Sequence, residues 1–117
     1  MKLEIIPKAS IGDLTNNINA REFCCQCDND HCTHTIYSPT LLERFEELRF
    51  NCGNLPIEIL SAFRCWDHNE FVGGVKKSKH LIGMAIDMKP PRGMSVTEFA
   101  KRAFPFFDIV ISYEQFF

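Results

Sequence analysis

Long hydrophobic runs are missing from this sequence. No apolar stretch approaches the roughly 18 residues that a membrane-spanning helix needs, so no membrane association is expected. Charge of one sign is also missing. Thirteen Lys and Arg stand against 15 Asp and Glu, a formal charge of −2, which argues against an electrostatic nucleic-acid binder. The short run Lys76, Lys77 and Lys79 reads as a solvated loop rather than a binding patch. There are no internal repeats and no low-complexity stretch. The opening Met1-Lys2-Leu3-Glu4-Ile5-Ile6-Pro7 is too short and too acidic for a secretory leader. Synthesis in the cytoplasm is expected, and action on a cell wall would require release by another route.

What is present suits one small domain over residues 1–117, with a monomer expected. Apolar residues make up 45% and charged residues 24%, an ordinary globular balance. A domain of this size buries proportionally little surface, so crosslinks or a metal would help it.

Local signals predict a mixture of helices and short strands. Ser10-Ile11-Gly12-Asp13 resembles a capping box, and Ile11, Leu14 and Ile18 follow at helical spacing, although Asn16, Asn17 and Asn19 are poor helix formers. Residues 24 to 37 read as an irregular, crosslinked or metal-bound loop. Ser38-Pro39 starts a helix with a cap and a first-turn proline; Leu41, Phe45 and Leu48 form its apolar stripe, and Gly53 suits its end. Ile57 to Phe63 reads as a strand with Ile57, Ile59, Ser61 and Phe63 on one face. Cys65 to Val72 reads as a short helix stopped by Gly73-Gly74. Gly83 to Lys89 alternates, placing Met84, Ile86 and Met88 opposite Ala85, Asp87 and Lys89, and Pro90-Pro91 closes it. Ser95 and Glu98 mark a second capping box, and Asp108 to Tyr113 a last apolar strand. The pattern implies an α+β domain with a small antiparallel sheet and flanking helices.

The chemistry concentrates in Ser78-Lys79-His80-Leu81-Ile82-Gly83-Met84-Ala85-Ile86-Asp87. If Met84, Ile86 and Met88 fill the core, Asp87 faces a cleft, and Ala85 beside it leaves room for something bulky. An imidazole nitrogen and a carboxylate oxygen are suitable zinc ligands, and a catalytic zinc site needs a third protein ligand plus water. On residue pattern alone, a solvent-facing Asp on an edge strand and a loop His are the stronger reading, since lone His and Asp residues are common. Elsewhere, Cys24, Cys25, Cys27, Cys32, His31 and His34 crowd into eleven residues. Cys24, Cys27, Cys32 and His34 are candidate ligands of a structural metal, with disulfides and free thiols as the alternatives. Cys52 and Cys65 flank one strand and are a candidate pair.

The stretch Ser78-x-His80-x-x-Gly83-x-Ala85-x-Asp87 resembles the signature of the peptidase M15 family, which contains zinc D-Ala-D-Ala carboxypeptidases and phage L-alanyl-D-glutamate endopeptidases. Ser61-Ala62-Phe63-Arg64-Cys65-Trp66-Asp67-His68-Asn69 is similar to that family's Ser-Gly-Tyr-Arg-Cys-Pro-x-His-Asn stretch. Val72-Gly73-Gly74-Val75 resembles its glycine-containing turn, and Glu22-Phe23-Cys24 with the helix from Leu41 to Leu48 its N-terminal part. The resemblance covers most of the chain. It implies a hedgehog/DD-peptidase-like fold, His80 and Asp87 as zinc ligands, Arg64 as a substrate-binding and oxyanion-stabilising group, and Ser78 as a loop or substrate contact. A guanidinium suits the Arg64 role because it is permanently charged and presents a rigid donor fork; a surface salt bridge is the alternative. His68 reads as a structural residue of its short helix.

The implied substrate is the peptidoglycan stem peptide, and the implied setting a phage lysis enzyme. In this family the third ligand is a His just after the last strand, and the sequence stops at Phe117 without it. Glu114 is the nearest carboxylate for the catalytic acid–base role, with Gln115 equally close to the expected place. The expectation is therefore a truncated chain or an incomplete site with low turnover. A stem-peptide or protein-binding pseudoenzyme and a Cys/His zinc-binding interaction module are the rival functions.

Overall fold

The structure, a computed structural model, describes residues 2–112. It is an α+β arrangement of three two-stranded antiparallel sheets and four helices. Strand β1 (Glu4–Pro7) pairs with β4 (His34–Tyr37), β2 (Asp13–Thr15) with β3 (Ile18–Asn19), and β5 (Glu58–Ser61) with β6 (Asp87–Lys89). The helices are α1 (Ala20–Phe23), α2 (Pro39–Asn51), α3 (Trp66–Phe71) and α4 (Val96–Ala103). No helix among the described residues is long and apolar enough to cross a membrane.

The predicted caps act where the local chemistry placed them. Ser38 Oγ accepts from the Leu41 amide at the start of α2, Pro39 occupies the first turn, and Ser95 Oγ accepts from the Glu98 amide of α4. Leu42, Phe45 and Leu48 are the buried stripe of α2, while Leu41 is half-buried. They pack with Ile18, Phe23, Ile57, Phe63 and Phe99 into one core. Phe23 meets Tyr37 edge to face at 6.2 Å, an arrangement that aromatic quadrupoles favour.

Three expectations are corrected. The predicted helix after Ser10 is the β2–β3 hairpin. The capping box belongs instead to Asn19 and Glu22, which open α1. The cause is a distant carboxylate: Glu46 of α2 accepts from Thr15 Oγ1 at 2.6 Å, the Asn17 amide at 3.0 Å and Asn17 Nδ2 at 2.6 Å. Those bonds favour a turn at Asn16-Asn17. The end of the predicted irregular loop, from residue 34, is strand β4, because the N-terminal residues supply a partner. Residues 108–112 form no strand: Ile109 and Ile111 are exposed, Val110 packs on the core, and among the described residues no strand lies alongside. Tyr113 lies outside the described residues.

Gly83 fixes the approach of the signature segment to the rest of the fold. Its φ is +68°, and a Cβ would collide with the Ile36 carbonyl of β4. Its own carbonyl accepts from the Ser38 amide at 3.2 Å. We predict that Gly83→Ala destabilises by about 4 kcal/mol or more, since backbone collision adds to the left-handed cost. Gly93→Ala, at φ +84° in open space, should cost only about 1–2 kcal/mol. Equal urea midpoints for the two variants would refute the close packing at Gly83.

Burial acts to raise the Glu46 pKa, but hydrogen bonds from Thr15 and Asn17 outweigh it and hold the carboxyl below its usual 4.5. A depressed folded-state pKa means stability present at neutral pH and lost as pH falls through that folded value. Glu46→Gln is therefore expected to cost about 1 kcal/mol at pH 7. The difference from wild type should shrink once the pH falls below the carboxylate range. An unchanged difference in acid would show that ionisation of Glu46 contributes nothing.

Candidate metal centre and cleft

The cleft is built at the crossing of two segments. Strand β5 continues through Ala62-Phe63-Arg64-Cys65 into α3, and the Phe63 amide donates to the Phe23 carbonyl at 3.1 Å. This anchors the segment on α1. The second segment is the 3₁₀ turn Lys79–Ile82, whose cap is Ser78: its hydroxyl accepts from the His80 amide at 3.2 Å. The Arg64 amide donates to the His80 carbonyl at 3.1 Å and locks the segments together. Strand β6 then returns beside β5, with Ser61 opposite Asp87. A register irregularity between Ile59 and Ser61 re-aims the strand there.

These constraints place His80 and Asp87 side by side, with His80 Nε2 3.4 Å from Asp87 Oδ1. The His80 side chain is 9% exposed and that of Asp87 is 51% exposed, so the pair sits at a wall that opens to solvent. His80 Nδ1 lies 2.6 Å from the Ala62 carbonyl oxygen. A carbonyl only accepts, so Nδ1 carries the proton and Nε2 is the nitrogen presented to Asp87. In neutral His80, two lone pairs therefore face each other and call for a cation between them. Ligands about 2.0–2.1 Å from a tetrahedral zinc stand roughly 3.4 Å apart, so the donor pair fits zinc in chemistry and spacing. Without a metal, an imidazolium form of His80 meets the same carboxylate through Nε2–H, and that hydrogen bond holds the Asp87 carboxyl below its ordinary range; burial opposes this, and the charges of His80 and Arg64 add to it.

Arg64 and Ser78 come together at the same place, with Arg64 Nη2 donating to Ser78 Oγ at 3.3 Å. Arg64 Nε is buried and has no protein partner. The guanidinium is thus oriented by Ser78, and among the described residues it forms no surface salt bridge. Glu114 lies outside the described residues. Among those residues, no third Cys, His, Asp or Glu converges with His80 and Asp87. Lys76, Lys77 and Lys79 are exposed, and His68 stacks on Phe71 within and beside α3.

The convergent set of metal-type side chains is elsewhere: Cys25, Cys27, Cys32 and Cys65, whose sulfurs all lie within 4.8 Å of one another. This corrects the expected set of Cys24, Cys27, Cys32 and His34. The Cys24 thiol turns back to donate to the Arg21 carbonyl, and His34 Nδ1 bonds Thr33 Oγ1. Cys52 does not join Cys65; it is buried at the end of α2, near Arg102 and Glu98. Burial opposes ionisation of Cys27, but the Asn29 amide and neighbouring thiols bring it down to about 7. Burial and the hydrogen bond with Cys27 push Cys32 up to about 12.

Sequence reading also passed over two positioning groups. The Ala62 carbonyl has no side-chain signature at all. Asn69 is buried, donates from Nδ2 to the Val75 carbonyl at 2.9 Å and accepts at its own carbonyl from the Gly74 amide at 2.8 Å. A Cβ at Gly74 would strike the Asn69 side chain. Asn69 thereby holds the turn leading to Ser78, and its signal was its place in the Arg64–Asn69 stretch.

The imidazole geometry has a direct spectroscopic consequence. Long-range proton–nitrogen correlation spectra should show His80 protonated at Nδ1. A tautomer protonated only at Nε2 would contradict the role of the Ala62 carbonyl.

Comparison with known proteins bears on this arrangement. No curated protein and no solved structure matches the chain. A family model described as Peptidase M15 matches residues 16–115, a span that includes the Arg64 segment, Ser78, His80 and Asp87. The chain belongs to the peptidase M15 family, a family of metallopeptidases.

Proposed function

We propose that the protein is a zinc metallopeptidase that hydrolyses peptide bonds of the peptidoglycan stem peptide, next to a D-amino acid. Family membership supports the reaction class. The observation that carries the site is the 3.4 Å approach of His80 Nε2 to Asp87 Oδ1, with Nδ1 committed to Ala62. His80 and Asp87 would hold the metal. When bound, zinc supplies Lewis-acid polarisation of the scissile carbonyl and activates water.

The remaining work falls to the chain's own residues. Arg64 binds a carboxylate or carbonyl oxygen of the substrate through its fork and favours the developing oxyanion. Ser78 positions that guanidinium through its bond from Nη2. On sequence alone, Glu114 is the carboxylate assigned to proton transfer between water and the leaving amine. The exposure of Asp87 and the open cleft wall suit an extended, polar peptide. Release of a phage lysis enzyme to the cell wall is the setting in which such a substrate would be met.

The reading is tested with synthetic stem peptides and mass spectrometry of the products. Turnover should disappear on chelation and return with zinc. Asp87→Asn should lower kcat/KM by about 10²-fold or more, and Arg64→Lys by about 10²-fold because a lysine lacks the bidentate fork. Hydrolysis that survives chelation, or an Arg64→Lys variant with full activity, would overturn the respective assignments.

A further inference from the structure

The four-cysteine cluster lies outside the cleft and is not used by the reaction proposed above. Cys65 Sγ is 3.7 Å from Cys25 Sγ and 3.7 Å from Cys27 Sγ. Cys32 completes a set in which every pair is within 4.8 Å. Four sulfurs about 2.3 Å from a tetrahedral zinc stand roughly 3.8 Å apart, so a small contraction of the set gives that geometry. Cys65 is equally near two partners, so the arrangement singles out no disulfide pair.

The surroundings also suit bound thiolates. The Cys65 amide donates to Cys25 Sγ at 3.3 Å, and the His68 amide to Cys65 Sγ at 3.4 Å. Such N–H···S bonds orient the sulfurs and stabilise negative charge on them. Lys8 Nζ lies 3.4 Å from Cys27 Sγ and is held there by the Cys27 carbonyl at 2.9 Å. Four thiolates and one dication leave a net dianion, and Lys8 is the cation placed beside it. Cys25 is buried and the other three are half-buried, so the sulfurs are shielded without being sealed from an entering ion.

We infer that Cys25, Cys27, Cys32 and Cys65 form a structural zinc site that clamps the N-terminal loop to the junction of β5 and α3. Each thiol releases its proton to solvent as the zinc–sulfur bonds form, and no oxidant is needed. The clamp joins residues 40 positions apart at Cys25 and Cys65. Cys65 directly follows Arg64 and lies three residues beyond Ala62, whose carbonyl orients His80. The site therefore braces one wall of the cleft while contributing no ligand to it. This inference does not depend on the peptidase reading.

The test removes the cleft donors first. A His80→Ala, Asp87→Asn double variant, purified under reducing conditions with zinc supplied, should retain about one zinc per chain by elemental analysis. Titrating that protein with a mercurial should release zinc in step with modification of the four thiols. Cobalt exchanged into the wild-type protein should show sulfur-to-cobalt charge-transfer absorption. Adding Cys25→Ser and Cys65→Ser should abolish that absorption and the retained zinc. Cobalt exchange uses intact wild-type protein, so misfolding of the serine variants would not leave the question open. A zinc-free double variant, cobalt bound without thiolate absorption, or thiols joined as disulfides under these conditions would each overturn the site.

Discussion

The hydrogen bond between His80 Nδ1 and the Ala62 carbonyl, at 2.6 Å, is the constraint on which the cleft depends. It decides which imidazole nitrogen carries the proton, and so which one is free to act as a donor to a metal. Everything that fixes Ala62 also fixes that choice. The Phe23 carbonyl holds Phe63, the His80 carbonyl holds Arg64, and the β5–β6 pairing sets Asp87 opposite Ser61. A slip of β5 by one residue against β6 would take Ser61 from its place opposite Asp87 and the Ala62 carbonyl from His80.

The energetics divide between a small apolar core and polar bonds at its edge. Phe23, Phe45, Leu42 and Leu48 are essentially inaccessible, each contributing about 1.5–3 kcal/mol by burial. Such burial is non-directional and does not by itself place a side chain to a fraction of an ångström. Placement comes from the directional contacts: Ser78 to Arg64 and His80, Asn69 to the Val75 turn, Gly83 against Ile36, and the four sulfurs around Cys65. The resulting cleft has a rigid His80 and a more exposed Asp87, a combination suited to a wall that admits a peptide.

Where structure follows from neighbours in sequence, the sequence was legible. The caps Ser38 and Ser95 and the proline at Pro39 act within a few residues of themselves, whereas of the strand expected over Gly83 to Lys89 only β6, Asp87–Lys89, forms, because Gly83 ends the 3₁₀ turn. The signature segment was legible for a different reason, since its spacing resembles a known family and a family model covers residues 16–115. What was not legible is set by partners far along the chain. Glu46 converts a plausible capping box at Ser10 into a hairpin turn, and β1 converts part of a cysteine-rich loop into strand β4. The spacing of Cys24, Cys27, Cys32 and His34 could not reveal that Cys25 and Cys65 would join Cys27 and Cys32 in one cluster of sulfurs. Alternation at Ile109 and Ile111 mimicked a strand, yet no neighbouring strand meets that segment among the described residues.

The central claim is that His80 and Asp87 share one metal ion in a cleft separate from the cysteine cluster. Anomalous diffraction at the zinc edge from crystals of the zinc-loaded protein tests it most directly. The account predicts a peak about 2 Å from both His80 Nε2 and Asp87 Oδ1. Zinc density confined to the cysteines, with His80 and Asp87 in direct contact and no ion between them, would contradict it.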